Sequence, residues 1–126
     1  MSRAEGRTEA APPPAGPYSQ SVRIGTIVAA AGQAGIRPDG EVVKGVGPQT
    51  RQALDNIAAA LAASGSSMAD VVSMRVFLTD PSQFAEMNAA YADAFTAPYP
   101  ARTTVYVGLP AGLLVEIDAL AVVASA

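Results

Sequence analysis

The clearest periodicity in the chain runs through VGPQTRQALDNIAAALAASG, where Leu54, Ile57, Ala58 and Leu61 recur at helical spacing and Arg51, Asp55 and Ala59 fall on the other side. That spacing predicts a helix with one apolar stripe, with Pro48 in its first turn and a left-handed stop at Gly65. Ahead of it the pattern is short and alternating. Val22 and Ile24 alternate with polar neighbours, Gly25 punctuates, and residues 26–30 read as a buried strand that ends at the turn residue Gly32. RPDGE then carries an Asp-Gly signal for a hairpin or loop. Behind the helix, Ser67 stands three residues before Asp70, the spacing of a capping box around one short helical turn.

From there Val72, Met74, Val76 and Leu78 alternate with Ser73, Arg75, Phe77 and Thr79, which predicts a strand. Asp80, Pro81 and Gln83 have the order of an N-cap, a first helical position and a capping partner, so a second helix begins here. Phe84, Met87, Tyr91, Ala94 and Phe95 form its stripe. Asn88 lies on or beside that stripe, where an amide is unfavourable unless it is hydrogen-bonded. Two strands close the chain, residues 102–107 and 113–123, joined by GLPAG. In the last, Leu113, Val115, Ile117, Ala119 and Ala121 share one face, Glu116 and Asp118 lie on the other, and the apolar stretch ALAVVASA runs to the end.

Strand, strand, helix, strand, helix, strand, strand predicts an α+β domain over residues 16–126. Its economical form is one mixed β-sheet with two helices on one face and the last two strands as a hairpin. Residues 1–15, rich in alanine, proline and polar side chains, read as a flexible tail. Apolar residues occur on both faces of several strands, so the sheet face without helices is expected to be covered by other subunits, making the protein an oligomer.

Composition narrows the chemistry. At 126 residues the chain is one domain with a core of its own, and no apolar run approaches the ~18 residues of a membrane span. A soluble, cytoplasmic protein without a membrane partner is expected. The net charge is −3, and Lys44 is the sole lysine among eight cationic side chains that do not cluster. Nucleic acid wants a basic stripe, so it is a disfavoured partner. With no cysteine and no histidine there is no disulfide, no thiolate nucleophile, no Ser-His-Asp triad and no imidazole metal site. AAAGQAG lacks the three-glycine spacing of a dinucleotide loop. Any chemistry here runs on carboxylates, hydroxyls, amides, arginine and backbone groups.

Four side chains stand out. Arg102 follows the stiff APYP and opens a strand; such an arginine is ordinarily solvated, but strand ends are where ligand-binding groups gather, and a guanidinium fork grips a carboxylate. Glu116 is a carboxylate inside the most apolar strand, either on its solvated face or placed to orient water. Tyr18 in GPYSQ and Asn88 in EMNAAY are weaker alone: a turn aromatic and a cap or core amide would explain them equally.

Taken in order, GPYSQ, AGQAG, QTRQALDNIAAALAASG, DVVSMRVFLTD, FAEMNAAYADAF, YPARTTV, LP and VEIDALA resemble the RidA (YjgF/YER057c/UK114) family of reactive-intermediate deaminases over about residues 16–123. The resemblance implies a chorismate-mutase-like fold, a homotrimer with clefts between subunits, and cofactor-free hydrolysis of 2-imino acids and their enamine tautomers, such as 2-aminoacrylate, to 2-oxo acids and ammonia. It gives Arg102 the substrate carboxylate, Glu116 the attacking water, and Tyr18 and Asn88 the cleft lining. The chain departs from the best-known deaminases at Ala31, just before Gly32, where they carry serine, and at Thr104, where they often carry cysteine; Thr104 still offers a hydroxyl. The same clefts in a non-catalytic relative would bind a 2-oxo acid or other small carboxylate for regulation. A ribonuclease role, attached to some relatives, fits poorly with the acidic balance and the missing histidine.

Overall fold

The long predicted helix is α1, Val46–Ala62, and it buries Ala53, Leu54, Ile57, Ala60 and Leu61 while Arg51 and Asp55 stay exposed. It stops where expected: Gly65 has φ 76°, and the Ser66 amide returns to the Leu61 carbonyl at 2.9 Å. In this computed structural model, which describes residues 1–124, α1 and a shorter α2 (Phe84–Ala92) lie on one face of a mixed sheet. The strands are β1 (Ala4–Gly6), β2 (Ser21–Ile24), β3 (Ile27–Ala34), β4 (Val71–Leu78), β5 (Ala101–Tyr106) and β6 (Val115–Val122), in the order β1-β2-β3-β6-β4-β5. The last two residues of ALAVVASA lie outside the described residues.

β6 sits in the middle because its alternation is the most complete. Val115, Ile117, Ala119 and Ala121 are buried under the helices, and it pairs antiparallel with both β3 and β4. The expected closing hairpin does not form. α2 carries the chain across the sheet and returns β5 parallel to β4, so β4 separates β5 from β6 and β5 becomes the edge. A second departure is local: an irregularity between Val71 and Ser73 shifts the register, so Val71 is buried and Val72, expected inside, is 47 % exposed. Ser67 and Asp70 do form the capping box, around a 3-10 turn at Met68–Asp70. Asp80 caps not α2 itself but a 3-10 turn at Pro81–Gln83, accepting from the Ser82 amide at 2.9 Å.

The reading of residues 1–15 as a flexible tail is corrected at several points. β1 pairs antiparallel with β2, and Ala11 is 2 % exposed. The cause is Gln20, itself 1 % exposed. Its Oε1 accepts from the Thr8 amide at 2.8 Å, and its Nε2 donates toward the carbonyls of Thr8, Ala11 and Pro12 at 3.0, 3.3 and 2.8 Å. A buried amide with all its partners replaces water for a proline-rich segment that cannot make a ladder of its own. Gln49 and Asn56 act alike from α1: Gln49 donates to the Val43 and Gly112 carbonyls and accepts from Leu114, and Asn56 donates to the Ile36 carbonyl.

The face of the sheet away from the helices carries exposed apolar side chains, among them Ile27, Val105, Leu120 and Val122. On the same face Arg75 grips Asp118 through Nε and Nη2, at 2.6–3.2 Å. No helix among the described residues is long and apolar enough to cross a membrane.

Gln20→Ala strands buried backbone groups at residues 8–12, so it is expected to lower unfolding free energy by on the order of 1–3 kcal/mol and to speed protease cleavage there. An unchanged denaturant midpoint and an unchanged cleavage rate would contradict the strap.

Candidate functional site

Arg102 is the second residue of β5 and pairs in register with Met74, which is buried under the helices, so its side chain rises on the helix side of the sheet edge. There it meets one stripe of α2. Its Nη2 donates to Asn88 Oδ1 at 2.6 Å, and its guanidinium carbon lies 4.8 Å from the Tyr91 ring centroid and 5.7 Å from that of Phe84. Phe84, Asn88 and Tyr91 stand at helical spacing, so one turn of α2 after another faces the cation. The amide that needed a partner has one. Among the described residues Arg102 has no carboxylate within ion-pair distance; the ion pairs are Arg37–Glu41, Arg51–Asp93 and Arg75–Asp118. A neutral amide and two ring faces therefore orient the charge without cancelling it.

Beside the guanidinium is a hollow of about 390 Å³ lined by Asn88, Tyr91, Ala92, Tyr99, Pro100 and Arg102. Thr104, two residues along β5, points to the same side of the sheet as Arg102, opposite Val76 in register. Its Oγ1 is buried without a hydrogen-bond partner, as are Tyr91 OH and Gln83 Oε1 among the described residues. Burial raises the Tyr91 phenol above its ordinary value of 10.0, and the positive charge of Arg102 opposes the rise. The phenol thus stays neutral across the physiological range.

Glu116 belongs to a different surface. It pairs with Phe77 on β4 and Ala34 on β3, on the sheet face away from the helices. Its carboxylate lies against the backbone of Gly32: a side-chain carbon there would stand 2.8 Å from Oε2. A side chain at this position would displace the carboxylate end of Glu116, so Gly32 lets Glu116 lie flat against the strand. The register of β3 against β6 shifts between Ala30 and Gln33, at Ala31 and Gly32, and the Ala31 amide donates to the Gln20 carbonyl at 2.9 Å. Tyr18 is half exposed in the loop before β2, its hydroxyl accepting from the Ala15 amide at 3.0 Å. The chain thus brings Arg102, Asn88 and Thr104 to one side of the sheet, and Glu116 and Gly32 to the other.

Residues 8–123 match the protein-family profile described as Endoribonuclease L-PSP. The chain belongs to this family, that of RidA and YjgF. It is 49 % identical over 117 residues to a RutC family protein of Pyrococcus horikoshii, covering 90 % of this chain and 93 % of that one. It is 42 % identical over 120 residues to the 2-iminobutanoate/2-iminopropanoate deaminase of Escherichia coli K12, covering 91 % and 94 %. RidA from an Antarctic Psychrobacter superposes with TM-score 0.91 at 39 % identity, covering 95 % of this chain and 99 % of that one. E. coli TdcF, solved with bound serine, superposes with TM-score 0.91 at 38 % identity, covering 96 % and 99 %. The mixed sheet with two helices on one face is therefore the fold of RidA structures.

Two side chains around Arg102 in this RidA-family chain escape sequence reading. Tyr91 and Phe84 fall on an ordinary apolar stripe, which reads as core packing. The signal that distinguishes them is the amide sharing their stripe, Asn88, because a cation near Asn88 must also be near them.

The sign of the Tyr91 shift fixes a pH dependence. A phenol raised in the folded state contributes stability that is complete below about pH 10, the unfolded value, and is lost as pH climbs through the higher folded value. Tyr91→Phe is expected to flatten the alkaline loss of stability above about pH 10; equal slopes for both proteins in pH-resolved denaturation would contradict the buried phenol.

Proposed function

We propose that the protein hydrolyses 2-imino acids and their enamine tautomers to 2-oxo acids and ammonia, as a cytoplasmic homotrimer of the chorismate-mutase-like type with its clefts between subunits. The observation that carries this reading is the oriented, uncompensated charge of Arg102 beside a hollow at a sheet edge. The name of the E. coli relative, 2-iminobutanoate/2-iminopropanoate deaminase, supplies a substrate class that such a charge suits.

The chemistry asks for few groups. A protonated imine is already electrophilic at C2, so binding and placement do most of the work. Arg102 grips the carboxylate through N–H groups that Asn88 leaves free. Water held by the Glu116 carboxylate adds to C2; the carbinolamine then collapses, breaking C–N, releasing ammonia and leaving the 2-oxo acid. Glu116 accepts a proton from the attacking water and returns it to the departing nitrogen, then takes the carbinolamine hydroxyl proton as C–N breaks and passes it to the ammonia, which leaves as ammonium. Thr104 offers its unpartnered hydroxyl on the Arg102 side, while Gly32, Ala31 and Tyr18 line the Glu116 side. Ala31 offers no side-chain hydrogen bond, so the backbone carries that wall.

Because Arg102 and Glu116 occupy opposite faces of one sheet, a complete cleft takes Arg102 from one protomer and Glu116 from its neighbour. The edge position of β5 and the exposed apolar side chains beyond it support that assembly. An RNA-cleaving role, which the family description names, finds no support in a chain of net charge −3 with scattered arginines and no histidine.

With imine generated in the assay by an amino-acid-dehydrating enzyme, Arg102→Ala is expected to lower kcat/KM by on the order of 100-fold or more, since a bidentate charged contact is lost. Asn88→Asp would place a competing carboxylate on the guanidinium and raise KM by about tenfold. Wild-type turnover by Arg102→Ala would overturn the assignment.

A further inference from the structure

Tyr91 is 4 % exposed and part of the core, yet one ring face is occupied by a cation. Against it packs Phe95, with ring centroids 5.0 Å apart and planes tilted by 43°. Its hydroxyl has no hydrogen-bond partner, so the contact that the residue makes with the site is through the ring. Phe84 presents a second ring at 5.7 Å.

The physical problem at this spot is to hold a guanidinium still without spending its charge. A carboxylate would orient it well but compete with any incoming anion. A hydrogen bond to Asn88 fixes one nitrogen, leaving the long side chain free to swing about that point. A ring face adds a second point of attachment: its quadrupole attracts the cation, carries no net charge and takes no N–H away from a ligand. Arg75 on the neighbouring strand shows the alternative, for it too has a ring nearby, Phe77 at 5.7 Å, but its fork is closed by Asp118.

Resting on the deaminase reading above, we propose that Tyr91 is a positioning residue for the reaction, its ring, braced by Phe95, holding Arg102 at the hollow with its charge free for the substrate carboxylate. The ring does this and the hydroxyl does not. Loss of the ring face then weakens carboxylate binding more than it slows the bond-making steps.

The test compares Tyr91→Leu, which removes the ring, with Tyr91→Phe, which keeps it. Steady-state imine hydrolysis is followed together with calorimetric binding of 2-oxobutyrate and the thermal midpoint. Tyr91→Leu is expected to raise KM and the 2-oxobutyrate Kd by roughly three- to thirtyfold, the range of a partly desolvated cation–π contact, with a smaller fall in kcat; Tyr91→Phe is expected to recover most of the lost affinity. A purely structural role would lower the thermal midpoint of Tyr91→Leu while leaving KM and Kd of the folded protein unchanged, and would overturn the proposal. So would a Tyr91→Phe variant as impaired as Tyr91→Leu, since the hydroxyl would then carry the effect. If Tyr91→Leu does not fold, a series of increasingly fluorinated phenylalanines at position 91 replaces it: KM should climb as the ring quadrupole weakens, and a flat series overturns the proposal. Arg102→Ala, run in parallel, keeps the two readings apart, because its full activity would sink the deaminase assignment whatever Tyr91 does.

Discussion

A β-sheet holds its two faces apart, and here it holds apart the two groups of side chains proposed to act together. Arg102, Asn88 and Thr104 stand on the helix side of the edge strand β5. Glu116 on β6, two strands inward, meets Gly32 of the next strand, β3, on the opposite face. No side-chain rotation carries a group through a hydrogen-bonded sheet, so a single chain cannot close a cleft around both. The same constraint explains why the outer position of β5 matters: on the helix side of the sheet the central strands are covered by α1 and α2, whereas the edge strand leaves Arg102 beside open space.

Within the Arg102 half, the governing choice is between fixing a charge and neutralising it. Two arginines on adjacent strands show both solutions. Arg75 is closed by both oxygens of Asp118, which raises its already high pKa further. Arg102 is held by a neutral oxygen and by aromatic faces, and its charge remains available. Amides serve widely in this chain as neutral fasteners: Gln20 straps residues 8–12, Gln49 ties the loops around α1, and Asn56 holds the end of β3. Asn88 uses the same chemistry on a cation.

Much of this was legible in the amino-acid order. Alternation in β4 and β6 and the helical stripe of α1 follow directly from period, and Gly65 ends α1 as its backbone freedom suggests. Asn88 on an apolar stripe called for a hydrogen-bond partner, and Arg102 supplies it. What period does not encode is pairing between distant segments. β5 and β6 look like a hairpin because they are consecutive, but the crossover through α2 places β4 between them. The N-terminal segment looks like a tail because its composition favours no element, and the docking depends on one glutamine that by composition could equally face water. The bulge at Val72 and the register shift at Ala31 and Gly32 are likewise invisible to a period of two.

The division of the site between chains is tested most directly by making each half fail separately. Arg102→Ala and Glu116→Ala proteins, each expected to be inactive when pure, are co-expressed with different affinity tags and the mixed oligomers isolated. If a cleft takes Arg102 from one chain and Glu116 from the next, every mixed trimer holds one intact cleft, about a third of its positions, and imine hydrolysis returns to a corresponding share of wild-type activity. Mixed oligomers as inactive as either parent would contradict a site shared between protomers.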